Sequence, residues 1–203
     1  SLATTHPELA ALCADPADAT RISRGSGTKI TWQCPVDPAH RPVASPNAII
    51  KATTNGTHRF ACPYCAGKQI CLGNNDLATT HPALAAQCAN PQDAHTHVAG
   101  SNAVITWRCG EHSVPVTWNA SIATRTRQHT GCPVCAGTRV IAGVNDLATT
   151  HPELAAEIAP TQDHTLTARD VTAGSHTQFM WQCPNNPKHT WTTAVKDLSL
   201  IHI

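Results

Sequence analysis

Cys62-Pro63-Tyr64-Cys65-Ala66-Gly67 returns as Cys132-Pro133-Val134-Cys135-Ala136-Gly137, and the reading of these two hexapeptides decides the fold. A Cys-Pro-x-Cys turn aims two sulfurs at one centre, which suits a metal of tetrahedral preference. Upstream of each pair stands Trp-x-Cys, as Trp32-Gln33-Cys34 and Trp107-Arg108-Cys109, and a third such tripeptide is Trp181-Gln182-Cys183. Further upstream, Leu2-Ala3-Thr4-Thr5-His6-Pro7 recurs at Leu77 to Pro82 and at Leu147 to Pro152, so the period is 70 to 75 residues. That is too long for a thin solenoid unit and suits small domains in tandem. The expected divisions are 1–72, 73–142 and 143–197.

The composition agrees with many small cores rather than one large one. Aromatics make up 4% of the 203 residues, with one Met, one Tyr and two Phe to fill space, so the units need staples. Ten cysteines supply them. No apolar run approaches the roughly 20 residues of a membrane span, and no charged segment followed by an apolar one marks a leader. Metal ligation in a reducing cytoplasm is therefore expected over a disulfide framework. The formal charge of +1 neither favours nor excludes a polyanionic partner.

Each copy opens with a helix signal. Thr5, Thr80 and Thr150 read as N-caps followed by proline, with Glu8 and Glu153 completing capping boxes, and the helix is expected from Pro7 to about Cys13 and its equivalents. Leu9, Leu84 and Leu154 fall on its apolar face. A strand ends in Trp-x-Cys, as in Ala103 to Cys109, and a second is expected at Pro115 to Ala123. Gly73-Asn74-Asn75-Asp76 and Gly143-Val144-Asn145-Asp146 read as short linkers.

The expected metal ligands are Cys34, His40, Cys62 and Cys65 in the first copy and Cys109, His112, Cys132 and Cys135 in the second. Cys183 and His189 begin a third, incomplete set. Three thiolates and one imidazole fill a tetrahedral Zn2+ site and leave no position for water, so the two complete sites are expected to be structural. His58 and His129 stand just before the cysteine pairs and compete as ligands, although the pattern across copies favours His40, His112 and His189. His6, His81 and His151 read as helix-start residues. Cys13, Cys88 and Cys71 read as small apolar fillers, and Trp32, Trp107 and Trp181 as core beneath the metal rather than stacking platforms for bases.

Trp107-Arg108-Cys109, Trp118-Asn119-Ala120-Ser121-Ile122, Arg125, Gly131 to Gly137 and Asn145-Asp146-Leu147 together resemble the tandem zinc-ribbon, treble-clef-like domain family of bacterial and viral proteins. The resemblance covers nearly the whole chain. It implies small zinc-stabilised α+β modules in tandem, with zinc-ribbon or treble-clef-like β-hairpins and a short helix per repeat. It further implies contact with nucleic acid and attachment to other domains of a larger protein. In this alignment the first copy carries Pro46 where the second hairpin tryptophan belongs. Residues 198–203, Leu-Ser-Leu-Ile-His-Ile, resemble a translated sequencing adaptor and are set aside from the fold, the natural chain being expected to continue into the missing cysteine pair.

The leading functional expectation is a structural zinc-binding array that binds DNA or RNA as an accessory module. Between Val104 and Arg139 stand Arg108, Arg125, Arg127 and Arg139 against the single acid Glu111. Lys51, Arg59, Arg125 and Arg127 are the expected nucleic-acid contacts. The alternative is a protein-interaction or spacer array without nucleic-acid binding. An enzyme is not expected within this chain, which lacks a repeated carboxylate pair or an open metal site, although a catalytic domain could lie outside it.

Overall fold

The computed structural model describes residues 1–54, 60–160 and 165–199. The first copy comprises α1 (Leu2–Thr5), α2 (Pro7–Ala10), α3 (Pro16–Arg21), β1 (Ile30–Thr31), β2 (Val43–Ala44) and α4 (Pro46–Thr54). The second repeats this plan as α5 (Leu77–Thr80), α6 (Pro82–Ala85), α7 (Asp93–Thr96), β3 (Val104–Cys109), β4 (Val116–Ser121) and α8 (Ile122–Arg127). The third holds α9 (Leu147–Thr150), α10 (Pro152–Ala155), β5 (Gln178–Cys183), β6 (Asn186–Ala194) and α11 (Val195–Ser199). Along the chain, each copy thus has a two-stranded sheet preceded and followed by short helices. These are small α+β modules.

Compact units divide the described chain differently from the repeats. One unit contains residues 1–105 and 121–128, and the other residues 106–120 and 129–203. The β3–β4 hairpin contributes to both.

The helix openings differ from the N-caps expected at Thr5, Thr80 and Thr150. Proline excludes the helical conformation from the residue before it, so the chain breaks at His6, His81 and His151, where φ is −146°, −139° and −140°. The threonines therefore end α1, α5 and α9, and their hydroxyls donate backwards to the carbonyls of Ser1, Asp76 and Asp146. The helix after each proline is a single turn, not the longer one expected to reach Cys13. Beyond it, Cys13 and Ile158 bridge to Trp32 and Trp181 as isolated antiparallel pairs.

The cores form around the tryptophans. Trp32, Trp107 and Trp181 are each 0% exposed, as are Leu2, Leu77 and Leu147 of the repeated opening; Leu2 packs with Trp32 and Leu147 with Trp181. Each indole N–H is satisfied by a carbonyl on the facing strand: Ala44, Ala120 and Thr193, at 2.9, 3.0 and 3.0 Å. A buried indole needs such a partner, and this one ties the core to the hairpin. Cys13 and Cys88 are buried apolar fillers as expected. Leu154 is buried as well, whereas Leu9 and Leu84 are half-buried.

These indole bonds also correct the alignment of the hairpins. Counting back two residues from Ala44, Ala120 and Thr193 reaches Pro42, Trp118 and Trp191. Trp181 pairs with Trp191 in the β5–β6 register, and the N–H of Trp32 donates to the carbonyl of Pro42. Pro42, rather than Pro46, therefore stands at the second tryptophan position. Pro46 instead starts α4, following Ser45, whose hydroxyl accepts from the N–H of Ala48. Ser121 caps α8 in the same way through the N–H of Thr124. The strand expected at Pro115 to Ala123 accordingly ends at Ser121 and turns into helix.

Leu198 and Ser199, set aside in the sequence, take part in the third module. Leu198 packs on the core of Trp181 and Phe179, and the Ser199 hydroxyl donates to the carbonyl of Ala173. Residues 200–203 lie outside the described residues. Among the described residues no helix is long and apolar enough to cross a membrane.

Candidate metal centres

In the first copy Cys34 follows β1 and His40 stands in the turn before β2; in the second Cys109 ends β3 and His112 stands in the turn before β4. In the first copy the N–H of Cys34 donates to the carbonyl of His40, which fixes these two ligands across the hairpin. The other pair comes from the Cys-Pro-x-Cys turn. There the N–H of Ala66 donates to the carbonyl of Cys62 and that of Gly67 to Tyr64, and the second copy repeats both bonds from Ala136 to Cys132 and Gly137 to Val134. Gly67 and Gly137 close these turns at φ 66° and 68°, a left-handed conformation that costs glycine little.

The structure brings Cys34, His40, Cys62 and Cys65 together, and likewise Cys109, His112, Cys132 and Cys135, with the donor atoms of each set within 4.8 Å of one another. Cys34 and Cys65 sulfurs lie 3.5 Å apart, and Cys109 and Cys135 sulfurs 3.6 Å. A tetrahedral zinc with bonds of about 2.3 Å to sulfur requires sulfurs about 3.8 Å apart, whereas a disulfide needs about 2.05 Å. The Cys65 sulfur lies 3.4 Å from His40 Nδ1, and the Cys135 sulfur 3.1 Å from His112 Nε2. Both donor sets fit zinc in chemistry and in span.

Electrostatics within the sets also call for a cation. Burial pushes the Cys34 thiol up, but the N–H groups of Asp37 and Val36 and the side chains of Cys65 and His40 outweigh it, bringing Cys34 down to about 7. Cys65 is pushed up to about 12, by burial first and then by its hydrogen bonds to Cys34 and Cys62 and their charge. Burial acts first on the second set too. Hydrogen bonds from Cys135, His112 and Val134 overcome it at Cys132, near 7, while Cys109 and Cys132 add to it at Cys135, near 12. One thiolate thus opposes the next, and a divalent ion removes that opposition.

Around the first set lies a layer whose residues read as a linker in the sequence. His40 Nε2 is 2.8 Å from Asn74 Oδ1, and the Asn74 amide donates to Asp37 at 2.7 Å. Asn75 donates to the carbonyls of Tyr64 and Gln69 and accepts from the N–H of Cys71, so it clasps the cysteine turn from outside. Asn145 does the same with Val134, Arg139 and Ile141. Asp76 and Asp146 are buried and accept from the N–H groups of Gly73 and Gly143 and the hydroxyls of Thr79 and Thr149. The signal for this layer is the return of Gly-x-Asn-Asp-Leu in both copies, of which only the family resemblance makes use.

Residues 84–138 and 154–200 match the family described as a probable treble clef zinc finger domain. The chain belongs to this family. No curated protein matches the chain at a significant level. The treble clef zinc finger match spans the second and third copies, and the first copy, outside the matched spans, assembles a tetrad of the same four residue types. The two treble clef tetrads are zinc sites, each closed by four protein donors.

Other expected residues fare differently. Cys183 and His189 stand on β5 and β6 and belong to no group of three or more metal-binding side chains among the described residues. The His189 ring instead lies 3.0 Å from the Asn186 amide. His129 is exposed at φ 51° and outside the tetrad that His112 completes, while His58 lies outside the described residues. Arg125 is a correction. It is 5% exposed and its guanidinium donates to Gln87, because two residues along α8 turn it about 200° away from Arg127, which faces solvent. Lys51 is exposed, and Arg59 lies outside the described residues.

Proposed function

We propose that this zinc finger array binds nucleic acid through the outer face of its second hairpin, as an accessory to other domains of a larger protein. The supporting observation is one surface. Along β3, Thr106 and Arg108 point to solvent while Ile105 and Trp107 are buried, and on β4 Thr117 and Asn119 are exposed. Thr106 donates to Asn119 at 2.9 Å, and Arg139 reaches the carbonyl of Thr117 at 3.1 Å. Arg108 and a row of hydroxyl and amide groups thus share a strand face, with the Arg139 guanidinium held at the backbone of β4, the donor chemistry that holds phosphate and sugar. The closed tetrads support a structural role for the metal, since neither leaves a place for a reacting water.

Titration of the zinc-loaded chain with duplex DNA and single-stranded RNA tests this reading. Binding should weaken as salt rises. Arg108→Ala with Arg139→Ala should lower the slope of log K against log salt by up to about 2, near 0.9 for each duplex phosphate that an arginine no longer neutralises. No binding to either polymer, or an unchanged slope, would return the array to the interaction or spacer reading.

A further inference from the structure

We infer that Asn74 is a positioning residue for the first zinc site, committing His40 to bind metal through Nδ1, whereas His112 binds through Nε2. The assignment follows from donors and acceptors alone. Asp37 as a carboxylate only accepts, so the Asn74 group 2.7 Å from it is the amide NH2. The amide oxygen must then face His40 Nε2, 2.8 Å away, and Nε2 must carry the ring proton. The Nδ1 lone pair is left toward the thiols, 3.4 Å from the Cys65 sulfur. Tyr64 stacks on the ring at 5.2 Å and 19°, which holds its plane while Asn74 holds its edge.

The second site lacks this relay. Val144 occupies the place of Asn74, and His112 turns Nε2 to the sulfurs of Cys135 and Cys132, at 3.1 and 3.7 Å. The spacing differs in parallel. Five residues separate Cys34 from His40, and two separate Cys109 from His112. The longer turn is built on Asp37, whose carboxylate accepts from the N–H of Ala39 and whose carbonyl accepts from that of His40. The residue that shapes the turn therefore also anchors Asn74. Asn74 lies between Gly73 and Asp76, so the first site is linked to the segment that starts α5. A partner on the far ring nitrogen fixes orientation and raises ligand basicity, and its loss typically costs 10- to 100-fold in metal affinity.

The test uses the full zinc-loaded chain. Long-range proton–nitrogen correlation of the imidazoles should show His40 metal-bound at Nδ1 with a proton on Nε2, and His112 the reverse. In competition with a chromophoric chelator, Asn74→Ala should weaken the first site about 10- to 100-fold and leave the second unchanged. The exchange Asp37→Asn with Asn74→Asp preserves an acceptor toward His40 and one donor-acceptor pair behind it, and should restore first-site affinity. Coordination of His40 through Nε2 in the unmodified chain would overturn the inference. So would first-site affinity in Asn74→Ala equal to that of the unmodified chain. Should Asn74→Ala fail to fold, the spectrum of the unmodified chain decides.

Discussion

The side-chain amide of Asn145 donates to the carbonyl of Val134, the central residue of the second Cys-Pro-x-Cys turn, at 3.0 Å. The same amide reaches Arg139 and accepts from the N–H of Ile141, so one side chain closes three backbone groups around the turn that carries two zinc ligands. Asn145→Ala removes all three bonds. At roughly 1 kcal/mol net for each, partly recovered from water, the zinc-loaded chain should lose about 2 kcal/mol in denaturant unfolding. Asn75→Ala should behave alike, since Asn75 makes the corresponding bonds to Tyr64, Gln69 and Cys71.

Zinc removal should unfold the two complete modules. A structural site contributes on the order of 10–16 kcal/mol, against the roughly 5–15 kcal/mol by which a whole domain is stable. Native mass spectrometry should find two tightly held ions, with Cys62→Ser and Cys132→Ser each losing one. Near-ultraviolet circular dichroism should collapse on chelation as the buried tryptophans lose their fixed surroundings.

The thiols give zinc binding a pH dependence of known sign. The ligands bind as thiolates, whereas in the metal-free, unfolded modules the thiols return to an ordinary value of about 8.5 and are mostly protonated at neutral pH. Zinc must displace the remaining protons, so apparent affinity falls as pH falls. Calorimetric titration in buffers of different ionisation enthalpy should report net proton release at each site.

Asp146 should contribute stability with the opposite exposure to acid from a cationic group. Burial alone would raise its carboxyl, but the Thr149 hydroxyl and the N–H groups of Gly143 and Thr149 hold it below the ordinary value. Its contribution is fully present above the unfolded value of about 3.9 and is lost as pH falls through the lower folded one. Asp146→Asn should therefore cost about 1–3 kcal/mol at neutral pH, and the gap between the two proteins should close as the solution is acidified.

Trp107 holds the second module together both by its volume and by its N–H bond to Ala120. Trp107→Phe keeps much of the ring but leaves that carbonyl without its indole donor, so a loss of about 1–3 kcal/mol in thermal or denaturant unfolding is expected. Trp107→Ala adds a cavity and should cost about 3–5 kcal/mol.

The amino-acid sequence by itself determined which residues meet at the metals. Cys34, His40, Cys62 and Cys65, and their counterparts Cys109, His112, Cys132 and Cys135, could be read because ligand chemistry admits few residue types and the repeat wrote the pattern twice. It also marked the tryptophans as core, since each stands two residues before a cysteine in the repeated Trp-x-Cys. Tertiary structure alone decided what surrounds those residues. The burial of Arg125 depends on a helix beginning at Ile122, one residue after the strand, and on Gln87 from a distant turn. The caps moved because Pro7, Pro82 and Pro152 act on the residue before them more strongly than threonine acts on the residues after it. Asn74, Asn75 and Asp76 looked like a connector because their partners lie up to 37 residues away. A hydrogen bond between side chain and distant backbone leaves no spacing to read, whereas a tetrahedral ion imposes one.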